Sequence, residues 1–218
     1  MKPNLIIGSP ECTMFSSLQN LSRWTEDKAR QWKEAKAHIE FMTEIYDKQH
    51  REGRWFLHEH PATASSWKLQ EVQRIMNKEG VMTTIADMCM YGLTTRGSKR
   101  NEARAAKKRT RFMTNCDQLA SQLKTTCKGM HEHQHLVSGR AQAAAQYTPI
   151  LCRAICAGLA EAIKDRKRGL WKIMEITSSN QVDKENTSAE HEEYEGEAWD
   201  DITGALLNPR EVRRARLK

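Results

Sequence analysis

The sequence predicts an α/β domain built on a largely parallel sheet. Short apolar runs of strand length alternate with longer stretches whose apolar residues recur every three or four positions. Glycine, proline and serine separate these segments, and the apolar residues thin out after about residue 176.

Leu5–Ile7 is a continuous apolar run that ends in Gly8-Ser9-Pro10, which suits a buried strand entering a turn. Thr25 precedes Glu26 and Asp27, the pattern of a helix N-cap with acids in the first turn. Trp32, Ala35, Ile39, Met42, Ile45 and Tyr46 then line one helix face, and Gly53 stops the helix. Trp55–Leu57 is the next strand. Ser66 is placed to cap a second helix with Leu69, Val72, Ile75 and Met76 inward and Gly80 as its stop. Val81–Tyr91 and Phe112–Thr114 read as further strands, and Pro149–Ile163 as a helix. From Lys164 the periodicity fades into a charged, Ser/Asn/Glu-rich stretch, which reads as a linker or disordered tail. The expected organisation is a domain over 1–165 and a charged tail over 166–218.

Apolar residues make up 39% of the 218, and charged residues 29%, so a modest core and a polar tail are expected. No run approaches the ~18 apolar residues of a membrane span, and Met1–Ile7 is too short for a signal peptide. The six cysteines form no CxxC pair, which argues against a disulfide framework or a zinc ribbon. Reduced thiols in a nuclear or cytoplasmic compartment are the expectation. The net charge of +7 is uneven. Arg96–Arg111 holds eight basic residues against Glu102 alone, a block suited to phosphate backbone, whereas Asp183–Asp201 holds nine acids and one Lys.

Two residues stand out chemically. Cys12 lies in the turn Gly8-Ser9-Pro10-Glu11-Cys12-Thr13, and Glu59 follows the second strand. In α/β sheets ligands bind outside the carboxyl ends of parallel strands, so the thiol and the carboxylate are expected at one site. A cysteine attacks only as thiolate, and the neighbouring Glu11 opposes that ionisation. A carboxyl group at a strand end is suited to hydrogen-bonding or protonating a ring nitrogen. Trp67 reads as a core residue, with stacking on a bound base as the other use of an indole. Cys127, His131, His133 and His135 offer sulfur and imidazole within nine residues. Structural zinc sites usually space their ligands in pairs, so this stretch reads as a polar loop and no metal is assigned.

The segment GSPECTMFS resembles the Pro-Cys motif of DNA cytosine-5 methyltransferases. RWFLHEHP resembles their Glu-Asn-Val/Pro motif, and Lys107-Lys108-Arg109-Thr110-Arg111 their Gln-x-Arg-x-Arg motif, in the same order and spacing. The resemblance covers roughly residues 3–163. It implies a Rossmann-like methyltransferase sheet in which Cys12 attacks carbon 6 of a flipped cytosine and Glu59 engages the ring nitrogen. It also implies that Arg109 and Arg111 hold the base, that Ser9, Pro10, Lys107 and Lys108 bind substrate, and that S-adenosylmethionine donates the methyl group. Chemistry on a base hidden in a duplex requires its extrusion into a pocket. The chain departs from the motifs at Glu11, His60 and Lys107, and it begins at the Cys-motif strand. The expectation is therefore a partial sheet lacking the N-terminal cofactor-binding strands, with a missing cofactor-binding half as one possible partner and DNA as another. Ala198–Lys218 resembles the stretch before the reverse transcriptase of copia-type retroelement polyproteins, which implies a retroelement-derived polyprotein segment. The alternatives are a non-catalytic nucleic-acid-binding module and a polyprotein scaffold segment.

Overall fold

A computed structural model describes residues 2–21, 23–97, 102–134, 136 and 144–182. The chain divides into Met1–Leu170 and Trp171–Lys218, and the second unit is described only over the end of its long helix. Ala198–Lys218, with its retroelement resemblance, lies outside the described residues.

Among the described residues the main sheet has four strands: β1 (Leu5–Gly8), β2 (Trp55–Pro61), β3 (Met82–Asp87) and, after the hairpin below, β6 (Arg109–Thr114). Their spatial order is β1-β2-β6-β3. β1 and β2 are parallel, and β6 runs antiparallel to both β2 and β3. β1, β2 and β3 therefore share one direction and β6 alone opposes them, a mixed sheet. The basic block contributes to a separate hairpin, β4 (Thr94–Arg96) with β5 (Ala103–Ala105).

Helix α1 (Glu26–Arg51) joins β1 to β2. The Thr25 hydroxyl accepts the Lys28 N–H at 3.3 Å, as its sequence position requires. Gly53 and Gly80 end their segments at φ of 64° and 72°, a left-handed backbone that glycine adopts without steric cost. Helix α2 is shorter than expected, spanning Gln70–Met76. Ser66 does not cap it: the serine sits in a 3-10 turn, and its hydroxyl is committed to His60. The expected strand Val81–Tyr91 stops at Asp87, where a 3-10 turn over Met88–Tyr91 begins.

Helix α3 (Asp117–Gln122) follows β6 and was not apparent in the periodicity. Helix α4 (Pro149–Val182) runs well past Ile163, so the stretch from Lys164 to Val182 is helical and not a linker. Its charged residues hold long-range contacts, which periodicity along the chain does not register. Gln118 Nε2 donates to Asp165 Oδ2 at 2.7 Å. The Arg166 guanidinium lies 3.8 Å from the Trp55 ring centroid and donates to the Gly53 carbonyl at 2.8 Å. At Gly158 a Cβ would meet the Gln118 carbonyl at 3.0 Å, so the two helices approach through a missing side chain.

Two apolar cores lie on opposite faces of the sheet. One gathers Leu57, Phe112, Leu119, Leu123, Leu151 and Ile155 beneath α3 and α4. The other gathers Phe15, Ile39, Tyr46, Phe56, Val72 and Met113 beneath α1 and α2. Both crossover helices, α1 and α2, thus lie on one face, as successive parallel strands joined in the same direction require.

Gly8 marks where this packing is tightest. A Cβ there would lie 1.7 Å from Tyr46 Oη and 2.5 Å from Met42 Cε. Tyr46 is fully buried, stacked on Phe56 at 4.8 Å and bonded to His58, so it cannot retreat. Gly8→Ala should lower unfolding free energy by about 1–3 kcal/mol, the usual cost of overpacking. Urea denaturation should show a smaller loss in a Tyr46→Phe background. An equal loss in both backgrounds would mean that the clash does not involve the hydroxyl.

Candidate functional site

The parallel pairing of β1 and β2 sets Gly8 opposite His58, so the turn after β1 passes over the carboxyl end of β2. There Ser9 Oγ donates to Glu59 Oε2 at 2.6 Å. Lys108, just before β6, donates from Nζ to Glu59 Oε1 at 3.3 Å. The Glu59 side chain is 5% exposed, and both of its oxygens are engaged. Tyr147 completes the surroundings. Its hydroxyl is buried near Ser9 and Glu59 without meeting hydrogen-bond geometry to either. Burial, and then the Glu59 charge, push its ionisation well above the ordinary tyrosine range.

Cys12 is half-buried at the start of a 3-10 turn over Thr13–Phe15. Burial raises its thiol pKa. The charge of Lys108 lowers it, and Glu11 and Glu59 raise it further. The Glu11 carboxylate is held locally, accepting the Thr13 N–H at 2.7 Å. The thiol is therefore near the carboxylate but is held in its protonated form at neutral pH.

The structure brings Ser9, Cys12, Glu59 and Lys108 together and separates the arginines from them. Side chains alternate along a strand. Glu59 shares its face with Leu57, and Arg111 shares the opposite face with Met113. The Arg111 guanidinium lies 5.1 Å from the Trp67 ring centroid. Arg109 is 3.7 Å from Asp87 Oδ1. Pro10 is buried and Lys107 exposed. Trp67 is a core residue whose Nε1 donates to the Pro61 carbonyl at 2.8 Å. A narrow cleft lies beside Glu59, bounded by Lys108, Met88, Leu93, Tyr147 and Leu151, with room for about one water molecule.

No family model, curated protein or solved structure matches the chain.

Among the described residues, the end of β1 offers no open backbone to a nucleotide-like cofactor. A nucleotide-like cofactor at a strand end needs backbone laid bare by glycine. At Gly8, at the carboxyl end of β1, that space is filled by Tyr46 and Met42. Sequence reasoning did not register Tyr147, because a lone tyrosine before a helix carries no pattern. It likewise gave no role to His58 and His60. Both rings are buried on the α1 face of β2, where His58 Nδ1 meets Tyr46 Oη at 3.0 Å and His60 Nδ1 meets Ser66 Oγ at 2.6 Å. Each Nε2 is buried without a partner among the described residues.

Burial pushes the His58 pKa from 6.5 down to about 3, with the neighbouring His60 adding to the shift, and burial lowers His60 as well. A folded pKa below the unfolded one means that the unfolded chain takes up the proton first. Stability from His58 is complete above 6.5 and is lost as pH falls through the interval toward 3. The loss is about 1.4 kcal/mol per pH unit for His58. Denaturant melts between pH 6.5 and 5 should show this slope, made shallower by about one proton's worth in His58→Leu. An unchanged slope in that variant would show that the ring ionises in the fold.

Proposed function

We propose that this domain is a base-handling unit of cytosine-5 methyltransferase type, acting on nucleic acid through Cys12 and Glu59. The observation that carries it is the Ser9–Glu59 hydrogen bond at 2.6 Å, which ties the turn bearing Cys12 to the carboxylate at the end of the adjacent parallel strand. Three co-directional strands with the reversed β6 among them are compatible with the carboxyl side of a Rossmann-like methyltransferase sheet. The exposed Lys107, next to Lys108 in the chain, supplies charge for a phosphate backbone beside the site.

In this role Lys108 and Ser9 hold Glu59 until a base displaces one of them. A proton taken from solvent as the base enters is then shared between Glu59 and the pyrimidine ring nitrogen, and the partial positive charge this places on the ring makes carbon 6 electrophilic. Cys12 Sγ adds to that carbon. Its proton is lost to solvent, the carbon 5–carbon 6 double bond is consumed, and carbon 5 gains a proton, which closes the balance without a methyl donor. Because the cleft holds only about one water, entry of a base requires Tyr147 to move aside. A resident methyl donor belongs to the family resemblance alone.

A second role, binding nucleic acid without bond formation, is favoured by the raised thiol pKa and by the placement of Arg109 and Arg111 away from Glu59. The two are separated by covalent trapping. An oligonucleotide carrying pyrimidin-2-one, which accepts a thiol without a methyl donor, should form a denaturation-resistant adduct with the full chain. The adduct should be absent in Cys12→Ser and reduced at least about tenfold in Glu59→Gln, a loss typical of removing one acid–base group. Salt-sensitive binding with no adduct supports the binding module. No binding at low salt would sink both.

A further inference from the structure

Cys89 and Cys127 are thirty-eight positions apart in the sequence, yet the fold brings them to one place with His131 and His133. Cys89 stands in the 3-10 turn that follows β3, and the other three lie in the loop after α3. Their ligand atoms, two thiol sulfurs and two imidazole nitrogens, all lie within 4.8 Å of one another. Cys127 Sγ is 3.7 Å from His131 Nε2 and 3.5 Å from His133 Nε2, and Cys89 Sγ is 3.3 Å from His133 Nε2. A tetrahedral zinc with bonds of ~2.3 Å to sulfur and ~2.05 Å to nitrogen requires sulfur–nitrogen edges of about 3.6 Å. The three observed edges bracket that value. Both cysteines are free thiols.

We propose that Cys89, Cys127, His131 and His133 form a structural zinc site. The two thiolates balance the charge of the ion, and a tetrahedral set of two sulfurs and two nitrogens selects zinc over magnesium, calcium or manganese. The surroundings position the ligands as a metal site needs. Asp87 Oδ2 accepts the Cys127 N–H at 2.8 Å, and the Asp87 N–H donates to the Thr125 carbonyl at 3.1 Å. The Gly129 N–H points at Cys127 Sγ at 3.3 Å, an approach that the glycine's φ of 81° permits. His131 is exposed, which leaves a path for the ion.

The site joins three segments of the chain. Besides the turn after β3 and the loop after α3, it reaches the basic hairpin. The Gln134 N–H donates to the Ala105 carbonyl at 2.8 Å, and Arg104 Nη1 meets Glu132 at 2.8 Å. A bound ion thus fixes the end of β3, and with it Met88 and Lys108, whose backbones are bonded at 3.0 Å. This inference is independent of the base chemistry at Cys12.

The test is metal content and cobalt spectroscopy on the full chain. Protein purified without chelator should carry about one zinc per chain. Replacement by cobalt should give the intense visible bands of a tetrahedral ion and thiolate charge transfer in the near ultraviolet. Cys89→Ser and Cys127→Ser should each weaken the charge-transfer band and lower zinc affinity by more than about tenfold. Cys152→Ser, on the exposed side of α4, should change neither. Chelation of the wild-type chain should lower its melting temperature, and zinc should restore it, a readout that does not depend on any variant folding. Absence of zinc together with a cobalt spectrum lacking thiolate bands would overturn the site. Zinc retained in Cys89→Ser but lost in His135→Ala would overturn the ligand set.

Discussion

The register of β2 is the constraint on which the rest of the structure depends. This strand is paired on both sides, parallel to β1 and antiparallel to β6. Side chains clamp its start. Asn115 accepts the Phe56 N–H at 2.9 Å and donates to the Arg54 carbonyl at 2.8 Å. Gln49 donates to the Trp55 carbonyl at 2.8 Å from the end of α1. These bonds allow only one alignment. A slip of one residue would turn every side chain to the other face. Glu59 would then enter the core beneath α1, and His58 and His60 would leave it.

That single alignment creates two chemically different surfaces from one short strand. On the α1 face, two imidazoles are held neutral among Tyr46, Phe15 and Trp67, where desolvation disfavours their charge. On the other face, a carboxylate is held between a hydroxyl and an ammonium group at the mouth of a cleft. The same pleat distributes the basic motif. Lys108 precedes β6 and reaches Glu59, while Arg111 is directed to Trp67 on the opposite side. A linear motif of closely spaced cations becomes contacts with different partners on different faces.

The sequence carried the α/β character and the first long helix. The Thr25 cap, the apolar face of α1 and the stops at Gly53 and Gly80 are local features, and each is present as expected. Short or charged elements were not legible. β4, β5 and α3 are too short for periodicity to register, and the part of α4 beyond Ile163 has no repeating apolar face to announce it. Ser66 illustrates a tertiary override: a residue suited to cap a helix is drawn instead to a buried histidine. The convergence of Cys12 and Glu59 followed from their positions at strand ends. The approach of Tyr147 did not, because it depends on how the chain re-enters the site before α4.

By itself, the sequence determined the alternation of strands and helices and the pairing of a thiol with a carboxylate at two strand ends. Both are encoded in local patterns of apolar periodicity, turn residues and caps. Only the tertiary structure decided which charges meet. The reversal of β6 between β2 and β3 places Lys108 beside Glu59, Arg109 beside Asp87 and Arg111 on the far face. It likewise brings Cys89 to Cys127 and the two histidines, although β4, β5, β6 and α3 intervene in the sequence. The physical reason is that strand order and direction are set by burying both faces of the sheet at once. That long-range condition leaves no trace in the spacing of residues along the chain.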